Sequence, residues 1–204
     1  MRVVRLIAAS LTVALTALAD SPAHAQQGQL ARPSGAAVPL ESLPLLNPSN
    51  DASSERANII PPGNSANYHG RPITHGIQFL NGNYLYKAHA AIRLWGRYQR
   101  LSGTVYTDDA SDLNSQPTFE IYDLGNTNPT TAGASDITQG RVILRYTFKH
   151  KEALPFSIDV HGVKSIGIVI DDAENIGKAE LDVVASLLIK SSHRAWFILR
   201  LGIW

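Results

Sequence analysis

The chain has 204 residues, with 18 lysines and arginines against 17 acidic residues, 44% hydrophobic residues and no cysteine. A formal charge of +1 argues against nucleic acid or an anionic membrane surface as the main partner. Without cysteine, disulfide staples and thiol catalysis are excluded, and the fold must rest on its apolar core alone.

Residues 1–25 read as a secretory signal peptide. Arg2 and Arg5 precede an apolar run over 6–18, and Ala23-His24-Ala25 forms an A-x-A cleavage site. The apolar run is too short to span a bilayer comfortably. Cleavage after Ala25, export to the periplasm or the exterior, and no membrane span in the mature chain are therefore expected. Residues 26–66 are rich in Pro, Ser, Asn, Gln and Ala, with little apolar periodicity. A stretch of that kind buries too little surface to offset its ordering entropy, so it reads as a linker or loosely attached arm. Within it, 38–46 is the piece apolar enough to dock on a domain.

A domain is expected over 67–190. Tyr84 and Tyr86 share a strand face by period two. In 98–107, Leu101, Gly103 and Val105 alternate with Arg100, Ser102 and Thr104, the mark of a strand with one dry face and one wet one. Phe119 and Ile121 point one way, and Glu120 and Tyr122 the other. Val142, Leu144, Tyr146 and Phe148 share a face opposite Arg145 and Thr147. Phe156, Ile158 and Val160 alternate with Ser157, Asp159 and His161. Ile166, Ile168 and Ile170 form the plainest inward row, and Leu181, Val183, Ala185, Leu187 and Ile189 the last. Turn signals stand between these rows: Asn81-Gly82, 123–125, His161-Gly162 and 171–177. No segment carries a long 3.6-residue period. The pattern predicts an all-β protein, an antiparallel sandwich of two sheets with seven or eight short strands.

Several of these pieces, in order, resemble the NPCBM family, the novel putative carbohydrate-binding module close to carbohydrate-binding module family 51. They are the runs THGI at 74–77, AIRLWGRY at 91–98, GTVYTDD at 103–109, TFEIYD at 118–123, LPFSIDV at 154–160, HGVKSI at 161–166 and IVIDDA at 168–173. Phe79 and Leu80 stand where that family often has a histidine, and Val183 where it often has a tryptophan. The resemblance covers 68–189. It implies a jelly-roll-like β-sandwich of seven to nine strands that binds galactose-type glycans.

Candidates for chemistry are few. Asp108-Asp109 and Asp171-Asp172 read first as strand ends whose carboxylates cap a turn, a common use of such pairs, then as ligands of a structural calcium, and after that as general acid and base. Neighbouring carboxylates on an extended chain point to opposite faces, which spoils each pair as a catalytic couple. The histidines at 69, 75, 89, 150, 161 and 193 form no H-E-x-x-H set, and His69 with His75 lacks a third ligand. There is no G-x-S-x-G elbow and no P-loop. Expected, then, are no catalytic residues, no metal ligands and no cofactor beyond a structural calcium.

A pyranose stacks its apolar face on a flat ring and takes hydrogen bonds from polar neighbours. The best places for that are Trp95 beside Gly96 in a turn, followed by Arg97 and Tyr98, and Tyr122 with Asp123 opening the loop that holds Asn126 and Asn128. The expected ligand contacts are Trp95, Arg97, Tyr122, Asp123 and Asn126. The apolar tail 191–204 is too short for a membrane helix and is expected to self-associate or dock as a strand. The reading is a secreted, non-catalytic glycan binder. The alternative is a structural or protein-interaction sandwich, and a hydrolase ranks last.

Overall fold

The computed structural model describes residues 36–51, 55–60, 66–81, 87–171 and 178–189. The expected signal peptide, Gly82, Tyr84, Tyr86, Asp172, His193 and the tail 191–204 lie outside the described residues. Among the described residues no helix is long and apolar enough to cross a membrane.

In chain order the strands are β1 (Ala37–Pro39), β2 (Leu45–Leu46), β3 (Asn50–Asp51), β4 (Glu55–Ile59), β5 (Ala66–Tyr68), β6 (Arg71–Ile73) and β7 (Ile77–Asn81). They continue with β8 (Ala88–Arg93), β9 (Tyr98–Thr107), β10 (Thr118–Asp123), β11 (Arg141–Thr147), β12 (Ala153–Asp159), β13 (Ser165–Asp171) and β14 (Ala179–Ile189). One short helix, α1 (Ala134–Ile137), interrupts them.

A seven-stranded sheet runs β12-β9-β14-β7-β4-β3, with β1 also on β14, and a five-stranded sheet runs β11-β10-β13-β8-β2. The described pairings are antiparallel. The expected all-β antiparallel sandwich is the architecture found. Consecutive strands often sit in different sheets, as β8 and β9 do, so short turns become corners of the sandwich.

The inward rows meet between the sheets as the alternation predicts. Ile166, Ile168, Ile170, Leu181, Val183, Leu187, Phe119, Ile121, Leu101 and Val105 are fully buried in one cluster. Phe79 and Val183 belong to it, and Leu80 is buried as well, so the residues that depart from the resembled family pattern serve packing here. Two members of the predicted rows face outward. Val142 is 41% exposed because a bulge between Ile121 and Tyr122 shifts the β10–β11 register and turns it over. Ile189 is 39% exposed past a similar shift between Leu188 and Ile189.

Within 36–60 the piece 38–46 docks as its apolar character suggests, with β1 on the end of β14, β2 on β8 and Leu40 fully buried, and the stretch read as linker beyond it also forms strands, β4 pairing with β7. Strands of two to five residues carry almost no period of their own, so composition alone misreads them. They gain their order by completing sheet edges that would otherwise stand open.

A second apolar layer lies outside the five-stranded sheet. Residues 124–140 fold back over its outer face, and Leu124, Ala132 and Ile137 cover Ala91, Tyr122 and Val169. Gly167 makes this possible: a Cβ there would lie 2.4 Å from Ile137 Cγ2 and 3.0 Å from Leu124 Cδ2. β13 is thereby buried on both faces, which is why its sequence reads as a continuous apolar run.

Candidate functional site

The corner between β8 and β9 presents Trp95. Leu94 anchors it, fully buried, and the next two residues turn the chain with φ +58° at Trp95 and +64° at Gly96. Glycine takes that conformation freely, whereas a bulky side chain seldom does. Four backbone bonds hold the turn. The N–H groups of Leu94 and Trp95 donate to Lys164 O at 2.7 and 2.8 Å, Gly96 N–H to Val163 O at 3.0 Å, and Arg97 N–H to Leu94 O at 3.1 Å. The indole is left 62% exposed, with the Arg93 guanidinium carbon 4.7 Å from its ring centroid.

Trp95 forms a wall between two clefts. One, of about 420 Å³, is lined by Arg93, Asn126, Asn128, Lys164 and Ser165 among others. The other, of about 280 Å³, is lined by Leu43, Pro44, Arg97, Tyr98 and Thr130 among others. The loop opposite the ring is tied down. Leu124 N–H donates to Ser165 O at 3.1 Å, Asn128 Oδ1 accepts from Thr130 N–H and Oγ1–H at 3.2 and 2.8 Å, and Asn47 Nδ2 donates to Ala132 O at 3.0 Å. Asn126 remains exposed. An exposed ring thus stands beside amides, hydroxyls and cations on a rigid frame.

Of the five expected contacts, Trp95, Arg97 and Asn126 line these clefts. Asp123 does not. Its Oδ1 accepts from Gly125 N–H at 3.0 Å and its Oδ2 pairs with Arg141 Nη2 at 3.1 Å, so it caps the loop. Tyr122 lies within β10 and is 2% exposed beneath the covering segment. Its hydroxyl donates to Glu120 Oε2 at 2.7 Å, and Arg145 reaches the other Glu120 oxygen through Nε. Burial, then acceptance by Glu120, pushes the Tyr122 hydroxyl above its usual value. The ring that sequence placed at a loop mouth is core. Missed by the sequence reading were Arg93, which stacks on the indole, and Lys164, whose carbonyl holds the turn. The period-two step from Ile92 to Leu94 already put Arg93 on the outer face.

The aspartate pair at 108–109 acts as a clamp. Asp108 Oδ2 accepts from Asn67 N–H and Oδ1 from Ala110 N–H, each at 2.6 Å. Asp109 Oδ1 and Oδ2 accept from His69 and Gly70 N–H at 3.0 and 2.6 Å. The Gly70 bond, chiefly, holds the Asp109 carboxyl below its ordinary value. Both carboxylates thus pin the β5–β6 hairpin, as the turn-capping reading expects. Asp171 pairs with Lys87 Nζ at 2.6 Å. His75 Nδ1 sits 3.1 Å from Glu41 Oε1. Among the described residues no group of three or more His, Asp or Glu side chains is gathered for a metal.

Beneath the clamp, Asp182 is fully buried, opposite Gln78 in the ladder, with the Asp108 carboxyl and the Gln78 amide as its polar neighbours. Burial, and then the Asp108 and Glu180 carboxylates nearby, push its pKa up to about 9, so it is neutral at pH 7.

No protein-family model and no curated protein sequence matches this chain. Solved structures do. The second CBM51 domain with the INT domains of Clostridium perfringens ZmpB, in complex with GlcNAc, matches with TM-score 0.53 and 16% identity. That match covers 76% of this chain and 32% of that one, so this chain spans about a third of its length. The CBM51 of Clostridium perfringens GH95, in complex with methyl-galactose, matches with TM-score 0.50 and 13% identity over 74% of this chain and 99% of that one. At such identities the likeness is one of fold, a carbohydrate-binding-module sandwich.

Proposed function

We propose that this protein is an exported, non-catalytic carbohydrate-binding module that captures an uncharged hexose, galactose or N-acetylglucosamine in type, on the face of Trp95. The observation that carries this reading is the indole itself. A large aromatic stands 62% exposed on a left-handed backbone that costs energy to hold. The buried Leu94 and four backbone bonds hold that conformation, which leaves the ring itself with Arg93 against it and the rest of its surface open for a ligand to cover.

Covering the indole with the apolar face of a pyranose removes ring surface from water, at about 25 cal/mol per Å² of apolar area. Asn126, Asn128 and Arg97 supply hydrogen bonds that fix orientation. The fold likeness to modules solved with GlcNAc and with methyl-galactose supports the choice of those two sugars. The signal-like segment 1–25 supports export, and an exported module of this kind would meet cell-surface and extracellular glycans.

Calorimetric titration of the protein with methyl-galactoside and with N-acetylglucosamine tests the reading. Binding to at least one, weakened about tenfold or more by Trp95→Ala, is the expected result. Silence toward both, and across a panel of neutral hexosides, would move the assignment to a protein-interaction sandwich.

A further inference from the structure

A separate cleft, of about 510 Å³, opens on the outer face of the five-stranded sheet, beside the covering segment 124–140. Lys87, Thr118, Glu120, Arg145, Thr147 and Asp171 line it. The cross-strand register arranges them in two rows: Thr147, Thr118 and Asp171, then Arg145, Glu120 and Val169. Tyr122 reaches the cleft only by its hydroxyl, since its ring is 2% exposed.

The chemistry here differs from that at Trp95. No exposed aromatic face is present among the lining residues, so a neutral sugar has nothing to stack on. Neutral hydrogen bonds exchanged against water contribute only about 0.5–1.5 kcal/mol each, while bonds to a charged group contribute about 1.5–3. The two cations and two carboxylates of this cleft balance, so affinity must come from charge-assisted bonds to the donors that those pairs leave free.

The carboxylates are already committed. Glu120 is 5% exposed, with one oxygen on Arg145 Nε and the other on the Tyr122 hydroxyl. Asp171 accepts from Lys87 at 2.6 Å. The cations are not saturated. Arg145 uses Nε on Glu120 and one Nη2 contact of 3.4 Å to Tyr122, while its side chain stays 58% exposed. A guanidinium carries five N–H donors, so a planar edge remains for a bidentate acceptor. Lys87 is 40% exposed, with two further donors. Buried Glu120 thus fixes the aim of Arg145. The backbones of the two cations stand three strands apart, roughly 14 Å at ordinary strand spacing, but Arg145 leans over β10 to Glu120 and Lys87 over β13 to Asp171, so the two charged ends lie closer than that, each on its own carboxylate.

We infer that this cleft is a second binding site, for an acidic oligosaccharide whose sugar carboxylates pair with Arg145 and Lys87 while its hydroxyls meet Thr118 and Thr147. It is independent of the hexose site at Trp95 and uses no ring stacking. The protein would then read two chemical features of one surface polymer, a neutral unit and a uronic-acid unit.

The probe is trigalacturonate, titrated against the full chain by calorimetry, beside its methyl ester and free galactose. The expected result is binding of the acid that is at least about tenfold tighter than that of the ester, and that weakens several-fold between about 0.02 M and about 0.3 M salt. Trp95→Ala is expected to leave this binding unchanged, which separates it from the hexose site. Arg145→Gln strands Glu120, so Glu120→Gln/Arg145→Gln together is the informative variant, expected to lose about tenfold. Lys87→Gln, on the exposed rim, is expected to lose several-fold with an unchanged melting temperature. Equal binding of acid and ester, no binding of the acid, or indifference to both variants would overturn the inference.

Discussion

The Trp95 corner and the Asp108–Asp109 end are both turns at strand ends, yet they use their side chains in opposite ways. At the corner the backbone makes the structural bonds, four of them, and the side chain is left in solvent. At the aspartate end the four carboxylate oxygens each accept a backbone N–H group, so the side chains themselves make the structural bonds. A polar or aromatic residue at a turn signals a binding site only when the turn stands without it.

Four substitutions sharpen that contrast. The largest expected effect is Asp108→Ala, which removes two 2.6 Å acceptors at once. It is expected to cost about 2–3 kcal/mol of stability in chemical denaturation, with hexose affinity unchanged.

Asp182→Asn acts at the same end in the other direction. The folded state keeps a proton there up to about pH 9, while the unfolded chain releases it near the ordinary carboxyl value of about 4. Folding stability therefore falls as pH rises from about 4 to about 9, at most about 1.4 kcal/mol per pH unit. The asparagine is expected to flatten that slope and to stabilise the protein by on the order of 2 kcal/mol at pH 7. Denaturation midpoints across the range check it.

Trp95→Gly is the mirror of Asp108→Ala. It removes the stacking surface, for a loss of about 1.5 kcal/mol or more in hexose binding. It also relieves the left-handed backbone and is expected to raise stability by up to about 1 kcal/mol. A variant that binds normally, or that melts much lower, would erase the contrast between the two ends. The smallest effect belongs to Asp123→Ala. It breaks an exposed pair with Arg141 and a turn cap, for roughly 0.5–1 kcal/mol of stability and a slight loss of binding through the loosened 124–131 loop.

Most of the sandwich is written in its alternation. Ile166, Ile168 and Ile170 and the row from Leu181 to Leu187 face inward as their period demands. What alternation cannot carry is a second covering layer. Glu120 and Tyr122 do share the outer face, but period two says only which face a residue takes, not what later lies on it. The segment 124–140 covers Tyr122, and the clue was the apolar Val169 and small Gly167 on the supposed wet side of β13. Bulges that turn over Val142 and Ile189 leave no mark in composition. The strands over 37–59 are too short to show a period, and their order comes from partners far along the chain. At the candidate site, the exposure of Trp95 is legible because a Trp-Gly turn between two apolar strands carries the ring out of the core. The placement of Arg97 beside it follows from nearness in the chain and in the turn, whereas the positions of Asn126, Tyr122 and Asp123 depend on the loop's path.

The most direct measurement is the response of the Trp95 indole N–H cross-peak, assigned by its loss in Trp95→Phe, as methyl-galactoside or N-acetylglucosamine is added. A saturable shift of that peak, accompanied by the Asn126 side-chain amide and not by the Tyr122 ring, is the predicted result. A bound sugar that leaves the Trp95 peak unmoved while shifting resonances elsewhere would contradict the account.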